Sequence, residues 1–291
     1  MKILIAADGS QDATSAASFF CRLPHDESLD IEIMTVVNTP DLSISASTEV
    51  WLPEYIERLE KTADDTYASV AALFEGSDAK LHHYKTNGHI GNRIIQRADE
   101  VGAELIVIGA KGHSLISRML LGSVSDFVST HAHCSVLVIR PEEADTKEHS
   151  GLRVTIAYDG SEKAVKTIDH FTQFAWNSGV DVQVVTVVQR IREFYQELHP
   201  IVQEQYAEER QAATKLAQTA VDRLAERGVR ATVSVVESDH VGEAVVGAAN
   251  AFGSDLILIG NTGRSLLPRL LLGSVSAYVL RHAEKSVWVV R

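Results

Sequence analysis

Two stretches of this 291-residue chain combine the residue types that a phosphate-binding loop needs. Leu105-Ile-Val-Ile-Gly109 runs into Ala110-Lys111-Gly112, and after nine residues Gly122-Ser123-Val124 opens a helical pattern. The second stretch reads Gly260-Asn261-Thr262-Gly263, then nine residues, then Gly273-Ser274-Val275. Glycines let a backbone pass close to a bulky anion, while the unpaired amides of a helix start and a serine hydroxyl donate to phosphate oxygens. Such a loop can cradle a triphosphate. Taken singly, a Gly-Ser pair is better read as a turn in which Ser123 or Ser274 caps its helix. Asp8 and Asp159 stand at the ends of apolar runs, each in an Asp-Gly-Ser sequence. A carboxylate there can accept from a ribose hydroxyl, or it can cap the next helix. Lys111, His113 and Arg118 lie in the first glycine loop and Arg264 and Arg269 in the second, where a cation can pair with phosphate oxygens.

These residues recur at one interval. Ile5-Ala6-Ala7-Asp8-Gly9-Ser10 is echoed by Ile156-Ala157-Tyr158-Asp159-Gly160-Ser161, and the same offset of 151 relates Gly109 to Gly260, Arg118 to Arg269, Ser123 to Ser274, His131 to His282 and Arg140 to Arg291. The register never slips, so the chain is a tandem duplication. Pro141 to Gly151 is polar and charged, the composition of an exposed linker. The boundaries expected are therefore 1–141 for the first domain, 142–151 for the linker and 152–291 for the second domain.

Within each half, short apolar runs alternate with stretches of helical spacing. In the first half the strands read Lys2 to Ala7, Asp30 to Val37, Lys80 to Lys85, Glu104 to Gly109 and Ser135 to Ile139, with helices near 11–22, 51–75, 90–102 and 122–131. Strands rich in Val, Ile and Leu, separated by helices, call for a parallel sheet covered on both faces. The expected fold is α/β: two tandem doubly wound domains, each an open five-stranded parallel sheet with helices on both sides. Such sheets bind ligands at the carboxyl ends of strands where the strand order reverses, which points to the residues after the first and fourth strands.

Composition narrows the function. Hydrophobic residues make up 45% and charged residues 23%, which is globular. Net charge is −12, with −11 in residues 1–150 and −1 in 151–291, against a general nucleic-acid surface. No apolar run approaches the ~20 residues of a membrane span, and the opening apolar run is too short for a secretory signal. No membrane association and a cytoplasmic location are therefore expected. Cys21 and Cys134 lack metal-like spacing and read as buried small hydrophobes.

The strand followed by G-x-x-G, nine residues and Gly-Ser resembles the ATP-binding signature of the universal stress protein family. The opening Ala-x-Asp-Gly-Ser and the closing Ser-Val-Leu-Val-Ile-Arg140 fit as well, and the resemblance spans nearly all of the chain in two copies. It implies a five-stranded open parallel sheet, a role in stress adaptation, and membership of the ATP-binding branch of a family that also has non-binders. It further implies that Asp8 and Asp159 contact the nucleoside portion, that Val36 and Val187 line the adenine although composition alone would place them in the core, and that Ala6 and Ala157 belong to the site. ATP, with Mg²⁺, is the cofactor expected. Both loops depart from the family's commoner Gly-Ser-Arg-Gly opening, and the second has no cation between its first two glycines. Family members commonly pair through the last strand, so Val136–Ile139 and Val287–Val290 are expected to make a pseudo-dimer within one chain, leaving a homodimer open.

Other marked residues have simpler readings. His89-Ile90-Gly91-Asn92 nearly spells the HIGH motif of nucleotidyl-transferring enzymes, but its last residue differs and it follows the third strand, so it reads as a helix start, as does His240-Val241-Gly242-Glu243. His131 and His282 end helices, where an imidazolium interacts favourably with the dipole. The stretches Asp41 to Tyr55 and Gln189 to Tyr206 differ most between halves and read equally as lids, surfaces for an unidentified protein partner, or variable packing. No Walker sequence, paired carboxylates or placed general base accompanies the glycine loops. The expectation is a regulatory ATP-binding protein and not a housekeeping enzyme, with slow ATP hydrolysis or a ligand-independent interaction module as alternatives. Net charge further predicts tighter ATP binding in the second half at low salt, a preference that shrinks or reverses as salt rises and the local charge of Lys111 dominates.

Overall fold

The computed structural model describes residues 1–24, 28–37, 52–112, 121–141, 151–174, 176, 179–190, 199–263 and 272–291. The chain divides into two compact units, Met1–Pro141 and Glu142–Arg291. The first runs β1 (Lys2–Ala6), α1 (Gln11–Cys21), β2 (Asp30–Val37), α2 (Leu52–Ala71), β3 (Lys80–Asn87), α3 (Ile90–Val101), β4 (Leu105–Gly109), α4 (Ser123–His131) and β5 (Ser135–Ile139). Its strands pair in parallel in the order β3-β2-β1-β4-β5. The second unit repeats this plan as β6 (Leu152–Ala157), α5 (Glu162–Phe171), β7 (Val180–Gln189), α6 (His199–Ala225), β8 (Ala231–Ser238), α7 (Val241–Phe252), β9 (Leu256–Gly260), α8 (Ser274–His282) and β10 (Ser286–Val290). There the order is β8-β7-β6-β9-β10, again parallel.

The expected α/β class and strand plan are present, and the physical reason is visible in β1. Ile3, Leu4 and Ile5 are all fully buried, although successive side chains of a strand point to opposite faces. Only a sheet covered on both sides accommodates such a run. Helices α1 and α2 pack against each other, as do α3 and α4, one pair on each face. Helix α1 buries Ala13, Ala16 and Ala17 beside Phe19 and Phe20, and its small residues let it approach β4 closely. β3, by contrast, is exposed or half-buried along its length, which suits its Lys and His residues.

Three sequence readings resolve into packing. His89 does start a helix: its Nδ1 accepts from the Asn92 N–H at 3.4 Å as the N-cap of α3. A Cβ on Gly91 would stand 2.5 Å from the Phe127 ring, and one on Gly242 would stand 2.7 Å from the Tyr278 ring, so these glycines let α3 and α7 lie against α4 and α8. His131 stacks on Phe127 with its Nδ1 2.9 Å from the Phe127 carbonyl, and His282 does the same on Tyr278 at 2.9 Å. Each ring satisfies a last-turn carbonyl. The cysteines correct the expectation of full burial: neither is in a disulfide, both are half-buried, and Cys21, the last residue of α1, donates its thiol to the Leu73 carbonyl at 2.9 Å.

Candidate functional site

The order of each sheet reverses between its first and fourth strands, so the crevice at their carboxyl ends is where an open α/β sheet takes a ligand. The register sets Ala6 between Met34 and Ile108, and the chain then leaves β1 through Ala7, whose N–H donates to the Met34 carbonyl at 2.9 Å. Asp8 follows, then Gly9 at φ +81°, a left-handed turn that side chains rarely adopt. The turn is fixed by two hydrogen bonds. Asp8 Oδ1 accepts from the Ser10 N–H at 2.9 Å, and Ser10 Oγ accepts from the Ala13 N–H at 3.2 Å. Ser10, not Asp8, is therefore the N-cap of α1. The second unit repeats every contact: Gly160 at φ +75°, Asp159 Oδ1 with the Ser161 N–H at 2.9 Å, and Ser161 Oγ with the Ala164 N–H at 3.2 Å.

With one carboxylate oxygen tied to its own turn, the other faces the glycine loop. A Cβ on Gly112 would stand 2.6 Å from Asp8 Oδ2, and one on Gly263 would stand 2.7 Å from Asp159 Oδ2. The fold thus brings the Asp of the first strand and the second glycine of the loop together in both units. The first glycine does something else. A Cβ on Gly109 would stand 2.9 Å from the Asp12 backbone carbon and 3.2 Å from the Ala13 nitrogen, while one on Gly260 would stand 3.2 Å from Lys163 Cβ and 3.4 Å from the Lys163 backbone carbon. Gly109 and Gly260 admit the first turn of α1 and α5 and are explained by that packing. Gly122 and Gly273 are N-caps of α4 and α8, and their N–H groups donate back to the Ala110 and Asn261 carbonyls at 2.8 and 2.7 Å.

This corrects the reading of Ser123 and Ser274 as caps: both are the first residues of their helices, with no side-chain cap bond, and both are exposed. The first intrahelical bonds run from Asp126 to Gly122 and from Ala277 to Gly273. The N–H groups of Ser123, Val124 and Ser125, and of Ser274, Val275 and Ser276, therefore lie outside the helical ladder, and the positive end of the helix dipole stands there. Val124 and Val275 are half-buried beside them. Val36 and Val187 are each half-buried between buried neighbours near the ends of β2 and β7, so they are not fully core. Ala6 is buried and Ala157 half-buried. His113, Arg118, Arg264 and Arg269 lie outside the described residues, as do most of the two variable stretches and the linker.

Two features escaped the sequence reading. The first is Ser125, whose buried Oγ lies 2.9 Å from both the Gly109 and Ala110 carbonyls and donates to one at a time; Ser276 donates to the Gly260 carbonyl at 2.7 Å. These hydroxyls tie each helix start to the strand end. The signal was the second Ser of the repeated Gly-Ser-Val-Ser. Ser125→Ala or Ser276→Ala is expected to cost about 0.5–1.5 kcal/mol, read as a lower urea midpoint with faster hydrogen exchange at the neighbouring loop amides. An unchanged midpoint and unchanged exchange would show that the tie is dispensable.

The second feature is the residue packed on the first glycine. It is Asp12 in one unit and Lys163 in the other, related by the same offset of 151. Burial pushes the Asp12 carboxyl up from its ordinary range and Asp8 adds to this, against the opposing pull of the Lys111 charge and the Lys111 backbone N–H. Asn261 replaces Ala110 and is 2% exposed. Among the described residues no group of three or more His, Cys, Asp or Glu side chains is placed to hold a metal ion, and no helix is long and apolar enough to cross a membrane.

Two doubly wound units, each with an oriented carboxylate and a glycine-lined helix start at the point where strand order reverses, define a tandem α/β protein. A sequence model of the Universal stress protein family matches residues 1–140 and again 152–291, and the chain belongs to that family as a tandem two-domain member. A universal stress protein of Methanocaldococcus jannaschii is 30% identical over 140 residues, covering 48% of this chain and 81% of the relative, so it corresponds to one half. Over the whole length the fold is similar to the crystal structure of a universal stress protein from Archaeoglobus fulgidus, with a TM-score of 0.64 at 19% identity, covering 100% of this chain and 96% of that one. A functionally unknown protein from Pseudomonas aeruginosa has a TM-score of 0.62 at 16% identity, covering 99% and 92%.

Proposed function

We propose that both units bind ATP and that the protein is a cytoplasmic regulator whose interactions depend on nucleotide occupancy. The observation that carries this reading is the twofold recurrence of one arrangement: a carboxylate oriented by a turn N–H, set against a loop glycine whose Cβ would collide with it, beside a helix start with three N–H groups outside the ladder. A nucleotide fits this set. The ribose hydroxyls would donate to Asp8 or Asp159, the phosphates would accept from the amides of residues 123–125 or 274–276, and the half-buried Val36 or Val187 would meet the base. Mg²⁺ would be held by the phosphates and water, since that ion usually needs few protein carboxylates. Its chemistry there is charge neutralisation.

The same geometry supports binding more than turnover. It supplies phosphate donors, while catalysis of transfer needs a base or a positioned nucleophile at the γ-phosphate. The test is calorimetric titration of the purified chain with Mg·ATP, followed by a single-turnover assay on the same sample. Saturable heat with hydrolysis far below the ~1–10³ s⁻¹ of ordinary enzymes is expected. No heat and no thermal shift at millimolar ATP would favour an interaction module without ligand, and turnover in the enzymatic range would make the protein an ATPase.

A further inference from the structure

We propose that His83 makes the first unit acid-sensitive: while its ring is neutral it holds α2 against β3 and keeps the Asp8 turn in place, and protonation loosens both. This adds a regulatory input to the nucleotide reading and does not rest on it.

His83 lies on β3, the edge strand of the first unit, and its ring stacks on Tyr67 of α2 with centroids 4.4 Å apart and planes 13° apart. Nδ1 stands 3.6 Å from Asp64 Oδ1, whereas Nε2 is buried and meets no hydrogen-bond partner among the described residues. A neutral imidazole carries one N–H and tolerates this arrangement. An imidazolium carries two, so one N–H and part of its charge would be shut away from both solvent and acceptor. Protonation therefore works against the stack.

The charged groups that act on the ring come from two elements. Asp64, reaching across from α2, favours the imidazolium, while Lys85, two residues along β3, opposes it and donates to Asp64 Oδ1 at 2.9 Å. From β2 the residue in register is the uncharged Ile33. Burial outweighs Asp64 and holds His83 below the ordinary histidine range. The opened chain therefore takes up its proton first. The stability that the neutral ring confers is complete above about pH 6.5 and is lost as pH falls through the lower midpoint of the folded state.

The link to the candidate site runs through α2. Thr66, next to Tyr67, is buried, and a Cβ on Gly9 would stand 2.9 Å from its Oγ1, so α2 backs the turn that orients Asp8. The second unit has the same turn without the histidine. There the strand register sets Val233 against Val184 where His83 stands against Ile33, and Gly160 meets Leu216, which Ala217 follows. By this route acid acts on the first site alone.

The test is amide hydrogen exchange on the full chain without ligand, joined to an NMR titration of the His83 ring. The Ser10 and Ser161 N–H groups each donate to the Asp two residues before them at 2.9 Å, in the same Asp-Gly-Ser sequence, so their intrinsic rates change alike with pH and their ratio compares the two turns. From about pH 7.5 to about pH 5.5 the ratio of Ser10 to Ser161 exchange should rise severalfold, toward about tenfold for each unit by which the His83 midpoint is depressed. Exchange at Tyr67 should rise with it. His83→Phe keeps a ring against Tyr67 and should hold the ratio constant. Asp64→Asn, a change at an exposed carboxylate, should move the His83 midpoint lower still. A midpoint at or above the ordinary histidine value, one that does not fall in Asp64→Asn, a ratio indifferent to pH, or a rise that persists in folded His83→Phe would overturn the proposal. Faster exchange at Tyr67 with Ser10 unaffected would do so too, by removing the link to the site.

Discussion

Phe20→Ala is expected to destabilise the first unit by about 3–5 kcal/mol, the usual cost of emptying a buried phenylalanine site. Phe20 is fully buried on α1, the helix whose first turn backs Gly109 and whose cap orders the Asp8 turn. A loss of that size is a large share of the roughly 5–15 kcal/mol that holds an ordinary domain together. Phe171 lies at the equivalent place in the second unit, is also fully buried, stacks on Trp176 and accepts the Trp176 indole N–H at its carbonyl. Phe171→Ala should therefore cost the second unit a comparable amount. Urea unfolding would measure both, with hydrogen exchange at β1 and β6 assigning each loss to its unit. As a control, Tyr55→Ala removes a residue 37% exposed and should stay within about 0.5 kcal/mol. A Phe20→Ala shift no larger than that of the control would mean that α1 is not held by this packing.

Asp159→Ala is expected to weaken nucleotide binding at the second site by about 10- to 150-fold, the ~1.5–3 kcal/mol of hydrogen bonds to a charged group. Asp8→Ala should do the same at the first. The carboxylate is prepared for this role: Oδ1 is anchored by the Ser161 N–H, and Oδ2 faces Gly263 at the mouth of the loop. Because Ser161 supplies the helix cap, removing the carboxylate leaves the start of α5 capped, and the loss should appear in affinity more than in stability. Gly263→Ala offers an independent check, since its new methyl group would press on the same oxygen and displace it. If the folded Asp159→Ala protein binds ATP as tightly as the unaltered one, the carboxylate is part of the turn and not of the site.

Much of the architecture was legible because it is repeated and periodic. Each expected strand of the first half lies within two residues of an observed one, since buried parallel strands need uninterrupted apolar runs and those runs are short and bounded. Helix α2 ends at Ala71, earlier than the apolar pattern suggested, because residues Ala72–Phe74 tighten into a 3-10 turn that buries Phe74. The offset of 151 located both glycine loops and both aspartates without any structure, because duplicated chemistry keeps its spacing when the fold is duplicated.

What spacing could not say is which partner each residue meets. Ser10 and Asp8 stand two apart, and both are good capping residues; only the three-dimensional turn gives the cap to Ser10 and turns an Asp8 oxygen toward Gly112. Gly109 and Gly122 look alike in the sequence, yet one admits a helix backbone and the other caps a helix. Asp12 and Lys163 carry no motif and lie roughly a hundred residues from the loops they adjoin. The chain by itself determined the repeat, the α/β class and the residue types at the strand ends, since these depend on local pattern. The tertiary structure decided the pairing of Asp with loop glycine, the ties from Ser125 and Ser276, and the residue packed on the first glycine of each loop. Those depend on strands distant in sequence lying side by side, where a contact of a few ångströms sets the electrostatics that no linear spacing records.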